Sequence, residues 1–240
     1  MAIRSTPFAL LACAILALAG CDLAPVARGE HDPFEARNRE IFDNNLRLDR
    51  AVSGESPSPQ GSGGLRRMVS NFGENLGLPS TILNDLLQLR LDRATENTFR
   101  LAVNTTIGIG GLFDPAAILG AHGRRSDFGE TLHRWGMGEG AYVVLPLLGP
   151  STERDVLGMV VDTAIDPLRW ARPHAIYRWS IPARLAARLA DRAEYADLLD
   201  ANVINTSDPY AQARLLFYQT RRYHLGVQDD EEFIDPYADF

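Results

Sequence analysis

Residues 65–87 read LRRMVSNFGENLGLPSTILNDLL. Leu65, Met68, Val69, Phe72 and Leu76 recur at helical spacing, which places them on one face of an amphipathic helix. Gly77 and Pro79 are expected to end that helix. Pro79 would then open a second, with Ile82, Leu83, Leu86 and Leu87 on one stripe. The period continues outward. A third helix is expected from Asp92 to about Val103. Pro150 is expected to open another, with the stripe Val156, Leu157, Val160, Val161 and Ala164. Ile181, Leu185, Leu189, Ala193, Ala196, Leu199 and Val203 mark a long amphipathic helix. Asp208-Pro209 is an N-cap and N1 pair, and the helix it starts ends in Arg221 and Arg222 before Gly226. Strand-like alternation is scarce, so the expected fold class is all-α.

The chain has 240 residues, 45% hydrophobic and 23% charged, which suits a folded body and argues against wholesale disorder. Net charge is −7, so no basic excess exists to neutralise nucleic-acid phosphates, and no nucleic-acid partner is expected. All 24 basic residues are Arg. Arginine is weakly hydrated and grips phosphate bidentately. The two cysteines, Cys13 and Cys21, lie at the extreme N-terminus, which removes disulfide, Cys-zinc and Cys-nucleophile chemistry from the body.

The first 20 residues read as an export signal: Arg4, the uncharged stretch Pro7–Leu18, then Ala19 and Gly20. The stretch is shorter than the roughly 20 residues that span a bilayer. Leu18-Ala19-Gly20-Cys21 looks like the lipobox of bacterial lipoproteins, in which the cysteine is acylated after cleavage. Each buried methylene contributes about 0.8 kcal/mol, so two or three chains on Cys21 would hold the protein on a leaflet. The expected organisation is a signal at 1–20, a lipidated tether at 21–31, a helical body at 32–226 and an acidic tail at 227–240. Residues 51–64, AVSGESPSPQGSGG, read as a polar loop.

Two uncharged segments, Leu101–Phe113 and Gly140–Thr152, are too short to span as helices. Each is either buried core or an interfacial segment. Catalytic chemistry is thin. The histidines at 31, 122, 133, 174 and 224 are not spaced to share a metal, and no G-x-S-x-G elbow is present. Gly108, Gly110 and Gly111 lack the third glycine of a dinucleotide loop and the Gly-Lys of a phosphate loop. Asp155 and Asp162, seven apart on one helix, are expected to be solvated. No enzyme activity, metal or cofactor is expected.

The body from Asp32 to Gly226 resembles the MlaA (VacJ) family of phospholipid-transport lipoproteins. The entry motif is Asp32-Pro33-Phe34-Glu35, then Asn38-Arg39, Phe42, Asn45 and Asp49. Asn71-Phe72, Asn75-Leu76, Pro79 and Asn84-Asp85-Leu86-Leu87-Gln88 follow. The most specific run is NTTIGIGGLFDP, Asn104–Pro115; then come Asp127–Leu132, Arg134-Trp135-Gly136, YVVLPLLGPST at 142–152 and Asp208-Pro209-Tyr210. The resemblance implies a helical ring in the inner leaflet of the outer membrane, with a channel through which outer-leaflet phospholipids leave. It implies as partners a porin trimer and a soluble periplasmic lipid carrier. Asn104, Thr105, Thr106 and Arg134 are then candidates for headgroup contact; the alternative is that the amides cap turns. Trp135, Tyr142, Leu145, Leu147 and Leu148 are candidates for an interfacial belt, with Trp170, Tyr177 and Trp179. Two departures stand out. The family's apolar segment between Asp49 and Leu65 is replaced by the polar loop. Asp22 after the anchor is an inner-membrane retention signal in enterobacterial sorting. Two other classes stay open: an envelope scaffold lipoprotein and a lipid-modifying hydrolase.

Overall fold

The computed structural model describes residues 32–53, 63–170, 175–194 and 203–227. The expected signal, anchor and tether, most of the 51–64 loop and nearly all of the acidic tail lie outside the described residues. So does the stretch 195–202 of the long helix expected to reach Val203.

The described residues form α1 (Glu35–Ser53), α2 (Gly63–Leu87), α3 (Leu91–Thr106), α4 (Pro115–Ile118), α5 (Phe128–Arg134), β1 (Tyr142–Leu145), β2 (Gly149–Thr152), α6 (Glu153–Ile165), a 3-10 turn at Pro167–Arg169, α7 (Ala175–Glu194) and α8 (Pro209–Leu225). The fold is mostly helical, as expected, with one hairpin. β1 and β2 pair antiparallel, Tyr142 opposite Thr152 and Leu145 opposite Gly149. A four-residue strand offers too little alternation to stand out in the sequence. Among the described residues no helix is long and apolar enough to cross a membrane.

Two proline readings are corrected. Pro79 does not divide two helices; it lies inside α2. Proline removes one helical hydrogen bond, and the turn it opens is braced from outside, where the Arg184 guanidinium donates to the Leu76 carbonyl. Pro150 does not open a helix either. It sits in β2, a strand of a two-stranded sheet, where a missing N–H is tolerated. Helix α6 starts three residues later, capped by Thr152, whose hydroxyl accepts from the Asp155 N–H at 3.2 Å.

The molecule has two parts of opposite character. Helix α1, the hairpin and α8 enclose an aromatic core of Tyr142, Val144, Tyr210 and Tyr218, with Ile41, Phe42 and Phe217 against it. Helix α2 packs against both α3 and α7, and the buried positions of α2 and α3 are largely polar. The buried positions of α2 are Gly73, Asn75, Leu78, Thr81, Asn84 and Asp85, and those of α3 are Ala94, Asn97, Arg100 and Asn104. The apolar stripe that marks α2 in the sequence is not its buried face: Leu65 and Leu86 are exposed, and Met68, Val69, Phe72, Leu76, Ile82, Leu83 and Leu87 are only half-buried.

Small residues bring the helices together. A Cβ on Gly73 would collide with the Cβ of Ala187 and the carbonyl of Ala183 on α7. A Cβ on Gly158 of α6 would collide with the backbone of Gly129 on α5. Close backbone approach of this kind is how helices associate where no hydrophobic driving force separates inside from outside.

Candidate functional site: a polar interior and a lipid-facing exterior

The polar interior is built from side chains opposite the apolar stripes. Asn84, fully buried, donates to Asp162 Oδ1 at 2.7 Å and accepts from the Thr131 hydroxyl at 2.9 Å. Gln88 donates to Ser126 Oγ at 2.7 Å and to Thr131 Oγ1 at 3.0 Å. Asn97 donates to Asp85 Oδ2 at 2.7 Å. Glu130 receives both Arg90 and Arg93. Burial pushes the Asp85 and Asp162 carboxyls above the ordinary range. Burial also lowers the His133 imidazole, and the nearby Arg154 guanidinium adds to that. Several buried atoms have no hydrogen-bond partner among the described residues, including Asp85 Oδ1, Gln88 Oε1, and Nε and Nη2 of Arg154. Unsatisfied buried polar groups are costly, so this interior is matched to polar company.

The exterior inverts the usual rule. Among the described residues, three that are not glycine adopt positive φ: Leu89 (59°), Ile109 (54°) and Leu147 (66°). Such positions favour Gly, Asn or Asp, and a β-branched residue there is strained. All three are large aliphatics at turns, and they are 84%, 65% and 64% exposed. All three tryptophans, Trp135, Trp170 and Trp179, are also more than half exposed. The hydroxyls of Thr95, Thr98, Thr106 and Thr163 donate to carbonyls of their own helices. Strained apolar turn tips and inturned hydroxyls suit hydrocarbon, not water.

The residues singled out in the sequence fall into three groups. Asn38, Arg39, Phe42 and Asn45 join the ends of the body. Asn38 donates to the Tyr142 carbonyl at 3.0 Å and accepts from the Val144 N–H at 2.9 Å. Asn45 does the same with the Leu145 carbonyl and Leu147 N–H, at 2.9 and 2.8 Å. Arg39 binds both oxygens of Asp208 and holds its carboxyl down at about 2. The Phe42 ring meets Tyr210 edge-on at 5.8 Å.

The headgroup candidates do not gather in one place. Asn104 is buried and structural: it donates to Asp114 Oδ1 at 2.8 Å and accepts from the Ala116 N–H at 3.1 Å, capping the α4 turn. Thr105 accepts from Asn75 at 3.1 Å, Thr106 bonds back to Ala102, and Arg134 is exposed at the end of α5. Of the belt candidates, Trp135, Leu147 and Leu148 are exposed and Leu145 is half-buried. Tyr142 is not interfacial: it is fully buried, because its ring is the centre of the aromatic core.

Two further expectations change. Asp155 is buried and Asp162 half-buried, and neither is left to solvent. Arg221 holds Asp155 at 2.7 Å, and Asp162 accepts from the Phe128 N–H at 2.9 Å. The interior set of Asn75, Asn84, Asp85, Gln88, Asn97, Glu130 and Thr131 carries no catalytic or metal motif in the sequence; the signal for its α2 members is the amide spacing on the face opposite the apolar stripe.

Comparison with known proteins settles the lineage. Residues 30–224 match the family model described as MlaA lipoprotein. The chain belongs to the MlaA lipoprotein family. The intermembrane phospholipid transport system lipoprotein MlaA of Shigella flexneri is 31% identical over 203 residues, 80% of this chain and 77% of that one. Its counterpart in Haemophilus influenzae is 30% identical, covering 88% and 87%. An uncharacterized protein of Rickettsia bellii is 34% identical, covering 87% and 82%. A solved structure from work on the structural basis for maintenance of bacterial outer membrane lipid asymmetry aligns with a TM-score of 0.62 at 28% identity. That alignment covers 81% of this chain and 98% of the other.

Proposed function

We propose that this protein is an outer-membrane lipoprotein that removes phospholipids from the outer leaflet and passes them toward the periplasm. The observation that carries the reading is the inverted polarity: amides, carboxylates and guanidiniums inside, leucines, isoleucines and tryptophans outside. A phospholipid headgroup cannot enter hydrocarbon unaided, because burying its charge is too costly. A body with an apolar exterior and a polar interior offers the headgroup hydrogen-bond partners while its tails stay in lipid. Such passage is binding and release, with no bond made or broken in the lipid, and so needs no catalytic constellation or cofactor. The similarity to intermembrane phospholipid transport lipoproteins supports the same reading.

In this reading Cys21 carries the acyl anchor, the helical body lies as a ring in the inner leaflet of the outer membrane, and the exposed tryptophans sit at its interface. A porin trimer holds the body, and a soluble periplasmic carrier receives the lipid. The deciding experiment is a deletion strain scored for outer-leaflet phospholipid. Surface phospholipid should rise in the deletion and return to the parental level on complementation. An unchanged outer leaflet would refute the proposal.

A further inference from the structure

The α2–α3 pair carries a trough on its outward side. Its walls are Ile82 and Leu86 from α2 and Leu91, Thr95, Thr98 and Phe99 from α3, enclosing about 430 Å³. Ala94 and Ala102 keep its floor open. From Leu91 to Ala102 it runs about 16 Å at 1.5 Å per residue. Two threonines would ordinarily make such a trough polar. Thr95 Oγ1 instead donates to the Leu91 carbonyl at 2.7 Å, and Thr98 Oγ1 to the Ala94 carbonyl at 2.6 Å. Their hydroxyls are satisfied within the helix, and the lining stays apolar.

One end of the trough is different. There the chain turns through Leu89, and just inside the turn Arg90 and Arg93 share a single carboxylate, Glu130. Arg93 reaches it only at 3.3 Å. Asp85 also faces this pair, but its burial pushes the carboxyl toward the neutral form. Asp92 is exposed, where solvent screens it. Two guanidiniums on one carboxylate leave a positive edge at the point where the apolar exterior gives way to the polar interior. Arginine is the side chain best matched to phosphate oxygens.

We propose that this hairpin binds a membrane phospholipid at a fixed place, an acyl chain in the trough and its phosphate at Arg90 and Arg93. The inference rests on the phospholipid reading above and adds the point at which a lipid leaves the bilayer for the interior. Charge and shape together select the ligand. A hydrocarbon alone has no use for the cationic end, and free phosphate has none for the trough.

The test uses the full lipoprotein in vesicles of phosphatidylethanolamine and phosphatidylglycerol. The vesicles are doped with a phosphatidylglycerol that carries a diazirine at the end of one acyl chain. After illumination, labelled residues are mapped by mass spectrometry. The trough should be labelled well above the other exposed apolar face at Trp179 and Ile181. Arg93→Gln should lower trough labelling about tenfold, the loss of a charge-assisted contact, and leave the Trp179 face unchanged. Ala102→Trp, at an exposed position, fills the trough without touching a charge and should have the same selective effect. A diazirine alkane without a headgroup should label both faces alike and ignore Arg93→Gln. Trough labelling no greater than at Trp179, or equal in all variants, overturns the proposal and means that lipid contact there is ordinary solvation. A parental chain that restores lipid asymmetry in cells while its trough is not enriched overturns this site and leaves the transport reading standing.

Discussion

Arg221 holds Asp127 with both terminal nitrogens, each 2.8 Å from one carboxylate oxygen. The same guanidinium reaches Asp155, so α8 ties the N-cap of α5 to the first turn of α6. Burial alone would raise the Asp127 carboxyl, but the Arg221 hydrogen bonds outweigh it and hold it below the usual range. Arg221→Gln leaves the buried Asp155 carboxylate and the half-exposed Asp127 carboxylate without their shared cation and should lower stability by about 1–3 kcal/mol. Denaturant unfolding in detergent measures this. Arg221→Lys should recover only part of the loss, since an ammonium cannot span both oxygens. If the Gln variant unfolds at the parental midpoint, the pairing is incidental.

Two glycines of one helix should respond in opposite directions. Gly73→Ala forces α2 away from α7 and should cost about 1–3 kcal/mol. Gly77 has nothing within 4 Å of a built Cβ, so Gly77→Ala should be neutral or gain up to about 1 kcal/mol in helix propensity. Paired thermal melts decide it. Equal behaviour of the two variants would mean that the α2–α7 approach is not tight.

The three strained turn tips give a test with an unusual sign. Asparagine tolerates positive φ and is polar. Leu89→Asn, Ile109→Asn and Leu147→Asn should therefore leave thermal stability in detergent unchanged, or raise it by about 1 kcal/mol each. The same changes should reduce membrane penetration. The body has no cysteine of its own, so a fluorophore on a single cysteine beside each tip, quenched by nitroxide lipids, reports depth. Loss of stability with unchanged quenching would show that the tips serve packing.

Asp85 predicts a pH dependence. Its folded carboxyl is raised by burial, so its favourable contribution is present below the ordinary carboxylate range and is lost as pH rises through the folded value. Asp85→Asn keeps an oxygen for Asn97 and removes that titration. The difference in melting temperature between variant and parent should move in favour of the variant from about pH 4 to pH 7. A constant difference across that range would show that Asp85 stays ionised.

The sequence was most legible where local chemistry decides alone. The ends of α8 follow from the Asp208-Pro209 cap and Gly226, while α3 runs to Thr106, three residues past its expected end at Val103. Helical spacing places Asp155 and Asp162 on one face but does not report whether that face meets water, lipid or another helix. The hairpin was hidden because its register is set from a distance, by Asn38 and Asn45. The aromatic role of Tyr142 was hidden for the same reason: its ring neighbours come from α8. The Arg90 and Arg93 pair on Glu130 required the α2–α3 turn and α5 to meet, which no local pattern encodes.

The amides of Asn38 and Asn45 also bear on the order in which the chain folds. Each is satisfied by backbone 100 to 106 residues further along, and Asp32 waits for Tyr210 and Arg214 at separations of 178 and 182. Bonds this distant in sequence form late, after loop-closure entropy has been met. The segment made first is therefore among the last to find its partners. Until α8 arrives, α1 and the hairpin lack Tyr210, Phe217 and Tyr218, and the aromatic core between them cannot close. Vectorial synthesis thus leaves an open, apolar-faced intermediate for most of the chain's emergence, and its protection from aggregation must come from outside the molecule.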